Sequence, residues 1–303
     1  MCLVAFAIGA SGRWPLVIAA NRDEFLARPT LPLARWQTAS GQEIISGRDL
    51  RAGGTWMGMT PGGRIAFLTN VRQASPEAAP RSRGELVTRW LEGAGDAASF
   101  VAELEKAEGG GAAYGGFNLV LGDLQRGAWT WVTNRQAVAP PAPALSPTLY
   151  SQALPPGLYG LSNAGLDTPW PKTLELKRVL AAALQAGDDG SDGPAGREAM
   201  KALLWTALGN RQRAQPQDLP HTGVPPELEE ALSSAFVDFP VHAYGTRCST
   251  LLLATPSNGK AGMQWDVQLE ERTHVRGGLA QGTPHGEAGT PDIRREQLSV
   301  RVS

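Results

Sequence analysis

Short apolar runs separated by turn-forming residues constrain the fold of this chain more strongly than any other feature. The 303 residues include 36 glycines and 23 prolines, so we expect many short connections between elements. Residues 3–8 and 15–20 are apolar at consecutive positions and flank an Ala-Ser-Gly-Arg turn. A strand without a polar face is suited to burial on both sides. We therefore predict an antiparallel hairpin here, with residues 3–8 and 17–20 among the most buried strands.

Three further pairs of segments flank turn-forming residues and predict hairpins. The clearest alternation of apolar and polar residues, typical of an antiparallel pair buried on one face, joins 250–254 to 263–269. A last strand is predicted at 298–302. The other two pairs are 55–60 with 64–70, and 117–121 with 128–133.

Helical spacing of apolar residues occurs between the strand pairs. Residues 86–91 place four apolar side chains on one face, and Asp96 can cap a helix that carries residues 100–104. The resulting order of strands, helices, strands, helices and strands is typical of an antiparallel α+β fold. Three more helices are predicted at 174–184, 199–208 and 227–236.

No linker divides this pattern into two independent cores. We therefore predict a single domain over 1–303. Two segments poor in apolar residues, near 185–197 and 275–292, are predicted to be mobile loops within it.

Charge and composition exclude several classes of protein. Twenty-eight basic and 29 acidic residues give a formal net charge of −1, so no global field favours nucleic acid or anionic lipid. The longest apolar run, 3–10, is far shorter than the roughly 20 residues of a membrane span and lacks the basic region of a secretory signal. We expect a cytoplasmic protein that binds a small molecule. Two cysteines and four scattered histidines have no ligand spacing, so neither a metal nor a cofactor is expected.

Cys2 follows the initiator methionine, which is ordinarily removed when the next side chain is small. The mature chain would then begin with a residue that carries a nucleophilic thiol and, in its α-amine, a base with an ordinary pKa of roughly 8. One residue can thus supply the nucleophile and the base of an acyl-transfer reaction. The alternative is that Cys2 is a small, inert residue at the start of a strand.

A polar cluster, Asn-Arg-Asp-Glu-Phe at 21–25, ends the second predicted strand. In a continuing strand Asn21 and Asp23 would point to one face, and Arg22 and Glu24 to the other. Either pair can face a site. The alternative is an ordinary polar turn in which Arg22 and Glu24 form a surface ion pair.

Three other polar residues end apolar runs or interrupt them: Asn70, Asn163 and Arg247. Strand ends often line sites, but an asparagine in this position is also a common turn former. Each residue alone is therefore compatible with a site or with simple architecture.

Taken together, ordered short blocks from residue 1 to about 254 resemble the NRDE family, also called the transport and Golgi organisation 2 family. So many blocks in one order are more specific than any single block. The blocks include Met1-Cys2, Asn21-Arg22-Asp23-Glu24-Phe25, Gly53-Gly54-Thr55-Trp56, Leu68-Thr69-Asn70, Arg83-Gly84-Glu85-Leu86-Val87, Gly116-Phe117-Asn118-Leu119, Tyr159-Gly160-Leu161-Ser162-Asn163 and Tyr244-Gly245-Thr246-Arg247.

The resemblance implies a fold similar to N-terminal nucleophile hydrolases, a four-layer αββα sandwich of two antiparallel sheets between helices. It is similar to the cysteine branch of that superfamily, which includes bile-salt hydrolases and penicillin V acylases. The roles that this branch implies are the nucleophile for Cys2, orientation of its thiol and amine for Arg22 and Asp23, oxyanion donation for Asn70 or Asn163, and electrostatic support for Arg247.

The chain departs from that branch at one point. The branch separates its Arg and Asp by two residues, whereas Arg22 and Asp23 are adjacent, so strand alternation predicts that at most one occupies the expected position. Asn21 or Glu24 is then expected to supply the other role.

Three functions follow from these observations. The first is a hydrolase that cleaves a non-peptide amide, ester or thioester bond through Cys2. The second is a non-catalytic carrier of haem or a lipid-like ligand, because members of the family have been associated with haem trafficking and lipid metabolism; His221 and His242 are the conceivable axial ligands. The third is a structural protein with an inert Cys2. Cys248 precedes a run of leucines and is predicted to be a buried, less reactive strand residue.

Overall fold

The computed structural model describes residues 2–74, 78–135, 148–189, 194–259, 262–274 and 290–301. Within them, the first strands are β1 Cys2–Ile8, β2 Leu16–Phe25, β3 Thr30–Gln37, β4 Glu43–Asp49, β5 Met57–Met59 and β6 Arg64–Asn70. Helices α1 Gly84–Glu92 and α2 Ala97–Lys106 follow. The next strands are β7 Phe117–Asp123, β8 Ala128–Thr133, β9 Tyr150–Ala153 and β10 Gly157–Leu161. The remaining elements are helices α3 Pro171–Asp189, α4 Pro194–Leu208 and α5 Pro226–Ala231, and strands β11 Asp238–Phe239, β12 Tyr244–Gly259, β13 Gly262–Thr273 and β14 Asp292–Arg301.

The strands form two antiparallel sheets. The first has the order β10-β1-β2-β12-β13-β14, with β11 paired to β12, and the second runs in chain order from β3 to β9. The four predicted hairpins are present, as β1–β2, β5–β6, β7–β8 and β12–β13.

Three apolar clusters hold four layers together. One lies between the sheets and includes Phe6, Ile18 and Phe67. A second joins the outer face of the first sheet to α3 and α4, and a third joins the outer face of the second sheet to α1 and α2. The chain is therefore an α+β, four-layer αββα sandwich, as predicted.

The first hairpin lies at the centre of this sandwich. Every residue of β1 is buried, and β2 is buried from Leu16 to Asp23. Helices cover one face of these strands and the second sheet covers the other, which explains why neither strand has a polar face. The predicted burial of 3–8 and 17–20 is confirmed.

The predicted helices are present, with differences at their ends. Asp96 caps α2, because its carboxylate accepts a hydrogen bond of 2.8 Å from the backbone N–H of Ser99. Helix α5 ends at Ala231 rather than near 236. Among the described residues, no helix has both the length and the apolar character to span a bilayer.

The predicted loop over 185–197 is wrong for 185–189 and 194–197, which are helical; 190–193 lie outside the described residues. Gly187 lies within α3, where the lack of a side chain allows a close contact with Trp14: a Cβ at this position would lie 2.7 Å from the indole Nε1. Pro194 begins α4, which suits a residue without an N–H. Of the predicted loop at 275–292, residues 275–289 lie outside the described residues, and Asp292 already belongs to β14.

Candidate functional site

Cys2 lies at the end of the first sheet in a row with two other polar residues. Arg22 of β2 is directly opposite Cys2 on one side and opposite Cys248 of β12 on the other. Strand alternation places the Cys2 side chain on the same face as Val4 and Phe6, which pack between the sheets. The thiol therefore points toward the second sheet.

A β-bulge shapes the neighbouring strand. Thr246 is opposite Asp23 and Cys248 is opposite Arg22, so Arg247 is an extra residue in β12. The Arg247 guanidinium donates hydrogen bonds from Nη1 to the backbone oxygens of three residues that follow β2 or end it: Phe25 (2.9 Å), Leu26 (2.9 Å) and Arg28 (3.1 Å). Bulges commonly redirect a side chain beside a site, and this one directs Arg247 to the end of β2.

A cavity of about 300 Å³ opens where these strands meet the second sheet and the start of α1. Its lining brings together five of the seven predicted site residues: Cys2, Arg22, Asp23, Asn70 and Arg247. Glu24 also lines it. The expectation that at most one of Arg22 and Asp23 lies at the site is wrong, because both border the cavity. The last residues of β2 reach the cavity, so side chains on both faces of the strand border it.

Asn21 does not line the cavity. Its side chain points to the helical layer, where Nδ2 donates 2.8 Å hydrogen bonds to the backbone oxygens of Leu208 and Ala235. Its Oδ1 accepts a 2.6 Å hydrogen bond from Ser249. With all of its side-chain groups occupied and no exposed surface, Asn21 joins β2 to α4 and does not contribute to the cavity.

Asn163 also lies outside the cavity lining, directly behind Asn70. Its Nδ2 donates to the backbone oxygen of Asn70 at 2.9 Å, and its Oδ1 accepts from Ser162. Ser162 in turn donates to the backbone oxygen of Cys2 at 3.2 Å. Asn163 therefore fixes the strand end that carries Asn70, whereas the Asn70 side chain makes no hydrogen bond to the described residues.

Alternating charges follow β2 along the cavity. Arg22 Nη2 lies 3.5 Å from the carboxylate of Glu24, which also lies 3.8 Å from Arg28. Arg28 then binds Asp49 at 2.7 and 2.8 Å. Arg22 is 5% exposed, and its Nη1 has no hydrogen-bond partner among the described residues, so this guanidinium can still donate to a bound group.

Burial raises the pKa of both thiols that border the cavity. It raises the pKa of Cys2, and the positive charge of Arg22 opposes this effect. Burial and the neighbouring Glu271 raise the pKa of Cys248 well above its usual value. The prediction that Cys248 is a buried strand residue is confirmed, although Cys248 also borders the cavity.

Asp23 is held by two hydroxyl groups. Thr246 donates to its Oδ1 at 2.7 Å, and Tyr244 donates to its backbone oxygen at 2.9 Å. Burial raises the pKa of Asp23, with Lys172 as the largest opposing charge. The carboxylate is thus fixed in place where the first sheet meets α3.

Sequence reasoning missed six charged residues of the lining: Arg28, Arg48, Asp49, Arg81, Arg83 and Glu271. Arg83 donates to the backbone oxygen of Gly116 at 3.1 Å, and Arg48 stacks on Trp36; neither has a carboxylate partner among the described residues. Arg83 was visible as the first residue of a family block, but its place before α1 gave no reason to assign it to a site. Glu271 lies two residues beyond the predicted alternating strand at 263–269, where the pattern gave no signal.

The described lining contains no histidine, so neither His221 nor His242 faces the cavity. His274 bonds Ser249 through Nε2 at 2.9 Å. Among the described residues, no three His, Cys, Asp or Glu side chains are grouped so that they could hold a metal ion.

Comparison with known proteins gives a clear family assignment. The chain matches the family model described as "Transport and Golgi organisation 2" over residues 1–268. It belongs to this family. The cattle (Bos taurus) Transport and Golgi organization protein 2 homolog is 34% identical over 263 residues, which are 84% of this chain and 88% of that protein. The human homolog is 32% identical over 261 residues, with the same coverage. The Drosophila melanogaster protein is 27% identical over 305 residues and covers 98% of each chain.

Two solved structures are also similar. One is a Caenorhabditis elegans N-acylethanolamine-hydrolyzing acid amidase ortholog, with a TM-score of 0.43 and 10% identity over 67% of this chain and 85% of that one. The other is the C2A mutant of conjugated bile acid hydrolase from Clostridium perfringens, with a TM-score of 0.45 and 9% identity over 100% of this chain and 98% of that one. Similarity at this level implies nothing about activity.

Proposed function

We propose that the protein is a hydrolase that cleaves a non-peptide amide, ester or thioester bond through an acyl-Cys2 intermediate. One observation supports this most strongly: Cys2, Arg22, Asp23, Asn70 and Arg247 come from four strands and border one cavity. A thiol, two cations, a carboxylate and an amide that meet at one concave surface are the groups that nucleophilic acyl transfer needs.

The first step forms a bond between Cys2 Sγ and the carbonyl carbon of the substrate. The thiol proton passes to the α-amine that Cys2 carries once Met1 is removed, because burial disfavours the free thiolate. The carbonyl electrons move onto oxygen. When this oxyanion collapses, the bond to the leaving nitrogen, oxygen or sulfur breaks, and the ammonium returns its proton to the leaving group. Water then hydrolyses the thioester and restores the thiol.

The lining residues have distinct roles in this step. The Asn70 amide borders the cavity and is our proposed oxyanion donor, with Asn163 as the residue that positions it. Arg22 stabilises negative charge on the sulfur, and Asp23 orients the amine. Arg247 holds the chain segment after β2 in place.

Acylation by p-nitrophenyl acetate tests the proposal, with peptide mapping by mass spectrometry. Intact mass first establishes that Met1 is absent. We expect an acetyl group on Cys2, with Cys248 acetylated at least about tenfold more slowly because its pKa is raised further. Cys2→Ser should lower p-nitrophenol release at least about tenfold, since a hydroxyl is a weaker nucleophile. Insertion of one alanine between Met1 and Cys2 should have the same effect, because it moves the amine from the sulfur.

Cys248→Ser is the matched control, because it removes the other thiol of the cavity and should leave acetylation of Cys2 unchanged. Equal acetylation of both cysteines, or undiminished release by the Cys2→Ser protein, would contradict the proposal.

The burial that raises the pKa of Cys2 favours a second candidate, a non-catalytic carrier of a lipid-like ligand or haem in the same cavity. A carrier does not need an ionisable thiol. For haem, the absence of histidine from the described lining leaves the thiols of Cys2 and Cys248 as the side chains to test. Unchanged ligand affinity in the Cys2→Ser protein, together with no acylation of Cys2, would favour the carrier of a lipid-like ligand.

A further inference from the structure

Cys2 is held differently on its two sides in the first sheet. On one side it pairs with Arg22 of β2. On the other side the pairing of β1 with β10 begins at Val4 and Leu161, so it stops short of Cys2. Beyond that point the hydroxyl of Ser162, the residue after β10, donates a 3.2 Å hydrogen bond to the backbone oxygen of Cys2. This contact matters because the first residue of a chain is ordered only where other groups bind it, and the proposed function makes Cys2 that residue.

The Ser162 hydroxyl also contacts the residue that supports the proposed oxyanion donor. Its Oγ donates to Asn163 Oδ1 at 3.3 Å, and Asn163 Nδ2 donates to the backbone oxygen of Asn70 at 2.9 Å. Ser162 is 3% exposed and Asn163 is 1% exposed, so loss of the hydroxyl would leave its two acceptors without water as a substitute. A single hydroxyl thus joins the residue that carries the nucleophile to the strand end that carries the Asn70 amide.

The turn that contains Asn163 is fixed to β6 by a second buried amide. Asn118 of β7 has no exposed surface, and its Nδ2 donates to the backbone oxygen of Ala164 at 2.7 Å. The same Nδ2 donates to Thr69 Oγ1 near the end of β6 at 3.2 Å. The turn and the end of β6 are therefore held together without Ser162. What Ser162 adds is the side-chain connection from this unit to the first residue of β1.

We propose that Ser162 is a positioning residue whose hydroxyl sets the distance between Cys2 Sγ and the Asn70 amide. An oxyanion donor must lie about 2.7–3.1 Å from the developing oxygen, which is bonded to the carbon that Sγ attacks. The thiol and the amide belong to different sheets, on β1 and β6, so their spacing depends on contacts that cross between the sheets. Ser162 and Asn163 together supply such a contact. The importance of this spacing rests on the proposed function, but the spacing itself can be measured without any activity.

Two reagents that react with the same thiol test the proposal, with peptide mapping to follow Cys2. Acetylation by p-nitrophenyl acetate passes through an oxyanion. Iodoacetamide does not need an oxyanion donor, because Sγ bonds to its methylene carbon as iodide leaves. Ser162→Ala should therefore lower the rate of acetylation at least about tenfold and change the rate of alkylation by less than about threefold. Ser162→Thr keeps the hydroxyl and should retain the wild-type ratio of the two rates.

Ser234→Ala is the matched control. Ser234 is also 3% exposed, and its hydroxyl donates to the backbone oxygen of Phe236 at 2.7 Å, but it is not among the described residues that line the cavity. Both alanine variants lose one buried hydroxyl and should remain folded, and Ser234→Ala should leave the ratio of rates unchanged. Crystal structures of the wild type and Ser162→Ala give a readout independent of activity. We expect the distance between Cys2 Sγ and Asn70 Nδ2 to change by at least about 0.5 Å.

An Sγ–Nδ2 distance that is equal in the wild type and Ser162→Ala would overturn the proposal. A ratio of rates that Asn70→Leu lowers and Ser162→Ala does not would also overturn it, and would leave the proposed function intact. A changed distance with no acetylation of Cys2 in the wild type would support the role of Ser162 and contradict the proposed function.

Discussion

Two asparagines illustrate how one residue type takes different roles in this protein. Asn21 is completely buried, and its amide satisfies two backbone carbonyls and one hydroxyl that have been removed from water. Asn70 borders the cavity with a side chain that bonds no described residue. A buried amide with three partners contributes to stability, whereas an amide that faces a cavity is available to a ligand.

We expect Asn21→Leu and Asn70→Leu to have opposite effects. Asn21→Leu leaves the oxygens of Leu208 and Ala235 without their donor, so it should lower the free energy of unfolding by roughly 2–4 kcal/mol. Asn70→Leu should change that free energy by less than about 1 kcal/mol but lower acetylation of Cys2 at least about tenfold, as expected for an oxyanion donor.

Urea unfolding and the acetylation rate of the folded protein measure these two effects separately. Asn70→Leu with undiminished acetylation would remove Asn70 from the proposed mechanism. A stability loss that is equal in both variants would remove the distinction between the two residues.

The sequence could identify five residues that border the cavity but not the direction of each side chain. Alternation correctly separates Asn21 from Arg22 but does not show which face borders the cavity. It also does not show that Asp23 borders the cavity together with Arg22, beside a strand that carries a bulge at Arg247. Such a bulge depends on the pairing of distant strands, which a local pattern does not contain.

At the scale of elements, two glycines set how closely α1 approaches the connection between β4 and β5. A Cβ on Gly54 would lie 2.6 Å from the backbone carbon and oxygen of Gly84, the first residue of α1. A Cβ on Gly84 would lie 3.1 Å from the backbone oxygen of Thr55. This close contact places Arg83, which precedes α1, at the cavity. The glycines in these two family blocks thus serve a backbone contact beside the site.

Gly54→Ala should therefore lower the free energy of unfolding by about 1–3 kcal/mol, because both opposing atoms belong to the backbone and cannot rotate away. Urea unfolding measures this change. Gly62→Ala is the matched control, since its nearest neighbour would be Thr60 Oγ1 at 3.7 Å, an ordinary contact, and should change stability by less than about 0.5 kcal/mol. Equal effects of the two substitutions would show that α1 can move away from the connection without cost.

At the scale of the whole molecule, local patterns predicted the hairpins but not how they are assembled. Each hairpin joins segments that are close in sequence, so apolar periodicity and turn residues suffice to predict it. The pairing of β2 with β12 joins residues such as Asn21 and Ser249, which are 228 positions apart. That pairing places Cys248 beside Arg22. The sandwich was predicted through the family resemblance, and the burial of Lys172 in the first turn of α3 was not predicted at all.

The burial of Lys172 should make the stability of the molecule depend on pH in a defined direction. The pKa of Lys172 is lowered in the folded protein from 10.5 to about 8, so between these values the unfolded chain binds more protons than the folded one. The contribution of this residue to stability is therefore present above pH 10.5 and lost as the pH falls through about 8.

Relative to Lys172→Met, the wild type should thus gain unfolding free energy as the pH rises from 8 to 10.5, by at most about 3 kcal/mol. Urea unfolding of both proteins at pH 8, 9 and 10 measures the difference, in which groups common to both, such as Tyr244 and Cys248, cancel. A difference that stays constant with pH would mean that Lys172 is as readily protonated in the folded protein as in the unfolded chain. The protein would then stabilise the ammonium to the same extent as water does. The burial of this residue would carry no cost in free energy.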